Sequence, residues 1–580
     1  MILQALNEYY LRKSRDPDSD IAPEGFEWKA ISFLILIDKD GRFINIEDTR
    51  EKVNGRLVAK SFLLPRAQGR SGKNSYKTTF LLWDHIGYVL GLPNTDNKSS
   101  LQHQTWIGAI KALPENIKKD EGIAAVLSFY ENGESQKAIQ SPMIEECLKT
   151  LSCNMTFRLV GDVPVPCRDS VQKYVTDKLS HESHRSIDND RDKQIIGTCI
   201  VTGMTGPIIR IHGATPINKD AKSLVGIQKN SGYDSYGKEQ GYNAPMLAST
   251  EFAYVTALNT LLKSPKQRMQ LGNMTVVFWS ERRSLLEEEI LSLFSEPSKD
   301  NPDAEAEQVK ALFRSIGDGS YAENDSDNRF YLLGLSPNAA RISVRLWQIG
   351  TVGEFSSRIK EFLEDFTIVK PPNEPEYYSL WRILVNIAVQ DKSENIPPNI
   401  AGEFMRSILS GIPYPATMLQ AGLRRIRSDT EYRVKPVRAA LIKAYLNRYY
   451  RFHPNNKYKE VNMSLDINQP SVGYQTGRLF ATLEKIQEEA NPGINATIRE
   501  RYYGAACTTP AVVYPNLLRL KNHHLAKIDN KAKVIYFEKL LGAIINELSD
   551  FPAHLNLHEQ GLFAIGYYHQ RQAFFEKKTD

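Results

Sequence analysis

Between Lys531 and Leu548, the apolar positions Phe537, Leu540, Leu541, Ile544, Ile545 and Leu548 recur at steps of three and four. That rhythm puts them on one stripe of a helix, which stops at Ser549-Asp550-Phe551-Pro552. Leu479, Phe480, Leu483 and Ile486 repeat it and end at Asn491-Pro492-Gly493. A third helix is predicted with Pro515 near its first turn, and a fourth after Asn556, where Glu559 stands as in a capping box. Amphipathic helices on such short connections predict an antiparallel four-helix bundle over 463–580.

Upstream, the pattern is mixed. An opening helix, Ile2 to Lys13, precedes a hairpin whose first strand, Ala30 to Ile37, turns at Asp38-Lys39-Asp40-Gly41 into Arg42 to Ile46. Asp38 and Asp40 lack the further ligands of a calcium loop, so a plain turn is expected. A second hairpin is predicted from Cys199–Val201 and Ile208–His212, followed by a glycine-rich loop ending at Pro245. Then come a helix with Ala253, Tyr254, Ala257, Leu258, Leu261 and Leu262 on one side, and a strand from Thr275 to Trp279. In Arg341 to Trp347, strict alternation puts Ile342, Val344 and Leu346 on one face and Arg341, Ser343 and Arg345 on the other. The polar face would step its groups about 7 Å apart, near the spacing of successive phosphates on one strand.

The fold class expected is α+β: a mixed N-terminal region of β-hairpins and helices, then a helical region and the C-terminal four-helix bundle. Domains are expected at 1–195, with a basic loop, at 196–355, at 356–462, which is helical and basic, and at 463–580. No apolar run approaches membrane-spanning length, and Glu8 interrupts any signal-peptide core, so cytoplasmic residence without a membrane partner is expected. The five cysteines, Cys147, Cys153, Cys167, Cys199 and Cys507, are scattered without a CxxC pair and read as reduced thiols.

A formal net charge of +5 over 580 residues is modest, and its distribution says more. From Lys52 to Trp83 there are seven cations (Lys52, Arg56, Lys60, Arg66, Arg70, Lys73, Lys77) and no acid. From Leu419 to Lys459, eleven cations face only Asp429 and Glu431, interleaved with Tyr432, Tyr445, Tyr449, Tyr450 and Tyr458. Cations displace counterions from phosphates and aromatic rings stack on unpaired bases, so both runs are candidate nucleic-acid contacts.

Catalytic patterns are broken. Ala67 to Asn74 approaches a nucleotide-binding P-loop but has Ala67 for the first glycine and Asn74 for the magnesium-binding hydroxyl. His523, His524, His554, His558 and His569 lack metal-ligand spacing and read as helix-end or surface residues. No enzyme activity, cofactor or metal is expected.

The strings NATIRERYYGAACTTPA (Asn495 to Ala511), FPAHLNLHEQG (Phe551 to Gly561) and AIGYYHQRQAFF (Ala564 to Phe575) resemble the C-terminal region of the large subunit of the type I-C CRISPR surveillance complex, Cascade. The resemblance continues through NSGYDSYGKEQGYNAP (Asn230 to Pro245), CIVTGMTGPIIRIH (Cys199 to His212), FYLLGLSPNAARISVRLW (Phe330 to Trp347) and the N-terminal MILQALNEYY and GFEWKAISFLILIDKDG. It implies a noncatalytic subunit of an RNA-guided antiviral complex. Such a subunit reads a protospacer-adjacent motif (PAM) on duplex DNA, assists duplex opening and R-loop formation, holds the displaced strand, and supports recruitment of a helicase-nuclease in trans. Its implied partners are the CRISPR guide RNA, the backbone and guide-processing Cascade subunits, the double-stranded target and its displaced strand, and separate small-subunit copies.

Candidate motif-proximal contacts are Arg66, Gln68, Arg70, Lys73 and Asn74, which offer bidentate, amide and phosphate contacts. Tyr236, Gly237, Gln240 and Asn243 form a second candidate loop, able to approach or wedge opened base pairs. Arg341 and Arg345 are candidates from the alternating strand, and Arg478, Arg501, Arg519, Lys521 and Lys527 from the bundle, which matches the small subunit's place in the family. The resemblance also implies an internal start, and Met463 stands where one belongs. The preceding Lys459-Glu460-Val461 can be encoded by AAG GAG GTN, a ribosome-binding sequence. The alternatives are a noncatalytic nucleic-acid-binding subunit of another ribonucleoprotein assembly and a stand-alone nuclease.

Overall fold

The computed structural model of the chain describes all residues except 54, 68–69, 71–73, 94–97, 151–152, 185–194, 218–220, 229–231, 233–235, 272, 295–310, 312–313, 317, 319–325, 339–340, 430–433, 455–457 and 576–580. The fold is α+β, with strands concentrated before residue 352 and helices after it. It divides into two compact units, Met1–Thr260 and Leu261–Asp580. This division falls inside the helix Ala248–Lys263, and the boundary expected at 355 lies inside the helix Val352–Asp365.

In Met1–Thr260, a four-stranded sheet runs in the order Phe43–Asp48, Phe33–Ile37, Asn154–Leu159, Trp83–His85, its central pair parallel and its outer pairs antiparallel. Phe33, Ile35 and Ile37 face a core with Trp106, Val126 and Phe129, while Leu34 joins Ile31, Leu64 and Trp83 on the opposite side. Burial on both faces explains why this strand is an unbroken apolar run. The strand expected from Ala30 to Ile37 is two strands, because Phe26–Ala30 pairs separately with Ser61–Pro65. Asp38 makes the turn by accepting the N–H groups of Asp40 at 3.0 Å and Arg42 at 2.8 Å.

The second hairpin lies upstream of its expected position. Ile196–Thr198 pairs with Thr205–Pro207, and Cys199 begins the turn. The cause is competition for backbone partners: the N–H groups of Ile200 and Ile209 go to the carbonyls of Pro245 and Met246 at 3.0 Å each, leaving neither for the other arm.

In Leu261–Asp580, an antiparallel sheet orders Arg268–Leu271, Met274–Ser280, Arg329–Asn338 and Arg341–Thr351. The expected alternation across Arg341 to Trp347 is broken by a register shift: Val344 stands opposite Leu335 but Leu346 opposite Gly334, leaving Arg345 as the extra residue of a bulge. Val344 and Leu346 therefore do not share a face. Val344 is 45% exposed whereas Leu346 is buried, and the even stepping of Arg341 and Arg345 along one face is lost.

Beyond the sheet, Thr351 and Glu354 form a capping box that starts Val352–Asp365. The C-terminal segment has five helices among the described residues, Val472–Ala490, Ile498–Thr508, Pro510–Leu525, Lys531–Asn546 and Leu557–Ala573, where four were expected. The additional one is Ile498–Thr508, started by a Thr497–Glu500 capping box. Pro510, not Pro515, holds the first position of the next helix, where its missing N–H costs nothing.

Asn556 caps Leu557–Ala573 as expected, accepting the Glu559 N–H at 2.9 Å. Glu559's carboxylate, however, crosses to the Ser471 hydroxyl at 2.6 Å and the Gly473 N–H at 2.7 Å, capping the start of Val472–Ala490. The same core continues upstream, from Phe563 and Phe480 through Leu446 and Leu441 to Phe404 and Phe355. Met463 is tied into it: its carbonyl accepts the Val369 N–H at 2.9 Å, and Tyr568 donates to the Val369 carbonyl at 2.7 Å. No helix among the described residues is long and apolar enough to cross a membrane.

Candidate nucleic-acid interface

Within Met1–Thr260, the basic loop leaves the strand Ser61–Pro65 at Arg66, whose N–H donates to the Gly25 carbonyl at 2.8 Å. The Arg66 guanidinium forms a two-pronged pair with Glu251, 3.0 Å at each prong, and lies over the Phe252 ring. Glu251 is fully buried. Arg70 is held in the same manner. It donates through Nε to the Thr78 carbonyl at 2.8 Å and through both Nη groups to the buried Asp84, between the rings of Phe80 at 3.6 Å and Tyr88 at 4.1 Å. Both arginines are thus anchors at the two ends of the segment 66–70, their planar forks already matched to carboxylates. Gln68 and Lys73 lie outside the described residues. Asn74 is exposed beside the short turn Ser75–Lys77, and Lys77, the last cation of the acid-free run, is exposed with it.

The second loop carries two backbone outliers. Tyr236 has φ +51°, Gly237 +72° and Gln240 +47°, and a tyrosine or glutamine in the left-handed region costs about 1–3 kcal/mol that the surroundings must offset. Tyr236 is 100% exposed, an aromatic ring lifted into solvent by a strained turn. Asn243 holds the loop by donating to the carbonyls of Lys238 at 2.9 Å and Gln240 at 3.1 Å. Arg210 fixes its far side: the guanidinium donates to the Gln240 side chain, and its carbonyl accepts the Gly241 N–H at 2.9 Å.

In Leu261–Asp580, several described cations of the basic run from Leu419 to Lys459 turn inward onto acids, while Arg424 and Arg427 are exposed. Arg438 is buried against Asp391 at 3.0 Å and Asp429 at 2.7 Å, and Lys435 meets Asp391 at 2.6 Å. Arg448, also buried, reaches Glu361 at 3.2 Å and the Tyr414 hydroxyl at 2.6 Å, and Arg451 shares Glu361 and Asp365. Burial lowers the pKa of Lys443, which donates to the Asp365 carbonyl. The tyrosines expected to stack on bases pack on one another instead. Tyr450 stacks on Tyr458 at 5.1 Å, and His558 meets Tyr449 edge-on at 4.6 Å within a ring that Tyr445 completes. Tyr432 lies outside the described residues.

Among the bundle cations, Arg478 is a correction: it is 3% exposed, bonded to Gln570 at 3.2 Å and Gln475 at 2.8 Å, and burial holds its pKa below the usual arginine value. Arg501 is exposed, as are Arg519, bonded to Asn516 at 3.0 Å, and Lys527, near Asn491 at 3.5 Å. Lys521 is paired with Glu538 at 3.2 Å. Arg341 and Arg345 are exposed on the bulged strand. His569, expected at the surface, is fully buried against Tyr474 at 2.9 Å, and burial drives its pKa down to about 3. No group of three potential ligands able to hold a metal occurs among the described residues.

Sequence reasoning missed Glu251, Asp84 and Arg210. Each is a lone charged residue in an ordinary context, and its role shows only in the residue it bonds, 14 positions away for Asp84, 30 for Arg210 and 185 for Glu251. No curated protein matches this chain. The family described as CRISPR-associated protein (Cas_Csd1) matches residues 6–575, nearly the whole length over which both loops, the bulged sheet and the C-terminal helices occur; the chain belongs to that family and is a CRISPR-associated subunit of a Cascade-type complex.

Proposed function

We propose that this chain is the large subunit of a type I-C complex, that it reads the protospacer-adjacent motif on duplex DNA, and that it promotes R-loop formation without itself cutting DNA. Guide pairing then reads the remaining sequence, as in other RNA-guided effectors. The observation that carries this reading is the Tyr236 loop: a fully exposed aromatic held at positive φ beside glycine. Aromatic and apolar wedges of this kind unstack base steps. Asn74 and Lys77, exposed in the acid-free run, would contribute amide readout and phosphate neutralisation, with Gln68 and Lys73 close to them in sequence. The C-terminal helices take the small subunit's role, with Arg501, Arg519 and Lys527 presented to the displaced strand and a helicase-nuclease recruited in trans.

The test uses the assembled guide-RNA complex and a library of duplexes randomised next to the target. Tyr236→Ala should slow duplex opening and Asn74→Ala should relax motif preference, each by about tenfold, the scale of one lost specific contact. Unchanged motif preference and opening rate in both variants, with assembly intact, would overturn the reading.

A further inference from the structure

We propose that Glu251 is the positioning residue that holds the two loops of the proposed DNA-reading site in one frame; this rests on the function proposed above and adds what joins its parts. Glu251 lies in the first turn of the helix Ala248–Lys263 and is completely buried. Its Oε2 accepts Arg66 Nη1 and its Oε1 accepts Arg66 Nη2, each at 3.0 Å, and Oε1 also accepts the Gly213 N–H at 2.7 Å. Gly213 is needed for this approach. A Cβ there would lie 2.7 Å from Arg66 Nη2 and 3.0 Å from Glu251 Oε1.

Gly213 follows Arg210 by three residues, an extended reach of about 10 Å. Arg210 in turn grips the second loop through the Gln240 side chain and the Gly241 N–H. One carboxylate therefore bonds to the root of the basic loop and to the segment that carries the Tyr236 loop. The strain at Tyr236 and Gln240 makes such a hold necessary, since residues at positive φ keep that conformation only where their surroundings impose it.

The geometry separates Glu251 from the contacts themselves. Buried and anionic, it touches no phosphate, so its loss should change discrimination between motif and non-motif duplexes without changing the number of ions released on binding. In the assembled complex, Glu251→Gln should lower motif discrimination at least fivefold and leave the slope of log affinity against log salt unaltered. The exchanged pair Arg66→Glu with Glu251→Arg restores the ion pair but leaves the Gly213 N–H facing a donor, so it should not recover that loss. Arg210→Gln removes the side-chain half of the grip at its exposed end, where folding is not at stake, keeps the carbonyl bond to Gly241, and should also lower discrimination. Discrimination unchanged by both Glu251→Gln and Arg210→Gln overturns the inference, as does a uniform loss of affinity with a shallower salt slope. If Tyr236→Ala and Asn74→Ala still alter opening or motif preference in that case, the proposed reading site stands and only its keystone is wrong; if they too have no effect, the reading itself has failed.

Discussion

Arg70 gives its fork to a buried carboxylate and both faces of its guanidinium to aromatic rings. Nothing of that group is left to match a phosphate without first abandoning Asp84, and an uncompensated buried charge costs about 3–5 kcal/mol. Lys77 is the contrasting case, an exposed ammonium in the same acid-free run. Arg70→Gln should therefore lower the stability of the Met1–Thr260 unit by about 3 kcal/mol in urea denaturation, whereas Lys77→Gln should leave stability alone. In target binding, Lys77→Gln should reduce the salt slope by about 0.9, the value for one phosphate contact on duplex DNA. A stable Arg70→Gln protein, or a Lys77→Gln complex with an unchanged slope, would refute these assignments. The cations themselves were legible in the sequence, but what they neutralise was not. Glu251 is 185 residues from Arg66, Asp84 is 14 from Arg70, and Asp365 is 86 from Arg451. A run can be acid-free in sequence and still be neutralised in space.

Periodicity located strongly striped elements such as Lys531–Asn546 and Val472–Ala490, left helices such as Ser99–Lys111 and Pro436–Phe452 unnamed, and failed where a second partner intervened. The helices from Val472 onward follow the apolar stripes read from sequence, yet Ile498–Thr508 was overlooked because its buried Ile498, Tyr503, Ala506 and Cys507 make a weak stripe. The bulge at Arg345 left no trace in a perfectly alternating string, since a single inserted residue changes the facing of side chains without changing their order. Apolar stripes also say nothing of close backbone contact. A Cβ at Gly477 would lie 2.1 Å from the Phe563 carbonyl oxygen, and one at Gly566 would lie 2.1 Å from that of Tyr474, so the helices Val472–Ala490 and Leu557–Ala573 approach at glycines. Gly504 and Gly542 sit in helices with nothing within 4 Å of that position. Gly477→Ala and Gly566→Ala should each destabilise the Leu261–Asp580 unit by about 3 kcal/mol, the upper end for overpacking against a backbone that cannot move aside. Gly504→Ala and Gly542→Ala should stabilise it by about 0.5–1 kcal/mol through helix propensity alone. Thermal denaturation of the four variants checks the contrast, and equal effects at all four sites would mean that the helices are not in backbone contact.

At the scale of the whole molecule, the segment from Met463 onward was read as self-contained, and its packing gives that reading a condition. Gly561 in the helix Leu557–Ala573 lies under Ile442, Leu446 and Leu419, so a product beginning at Met463 would lose the cover of that face. We propose that such a product is made and that the uncovered face is satisfied within the assembled complex. The tripeptide before Met463 has structural duties of its own. Lys459 pairs with Asp466 at 3.1 Å, Glu460 with Arg451 at 3.4 Å, and buried Val461 exchanges two 2.8 Å hydrogen bonds with Asn447. The residues are thus accounted for by folding, and any role in starting translation must reside in the codons. Synonymous recoding of Lys459 to Val461 keeps every one of these contacts and changes only the messenger. It should abolish a separate product starting at Met463 while leaving full-length protein and its stability unchanged, as read by intact-mass analysis of the expressed complex. No such product from the native gene, or one that persists after recoding, would leave these helices acting only as the tethered end of a continuous core.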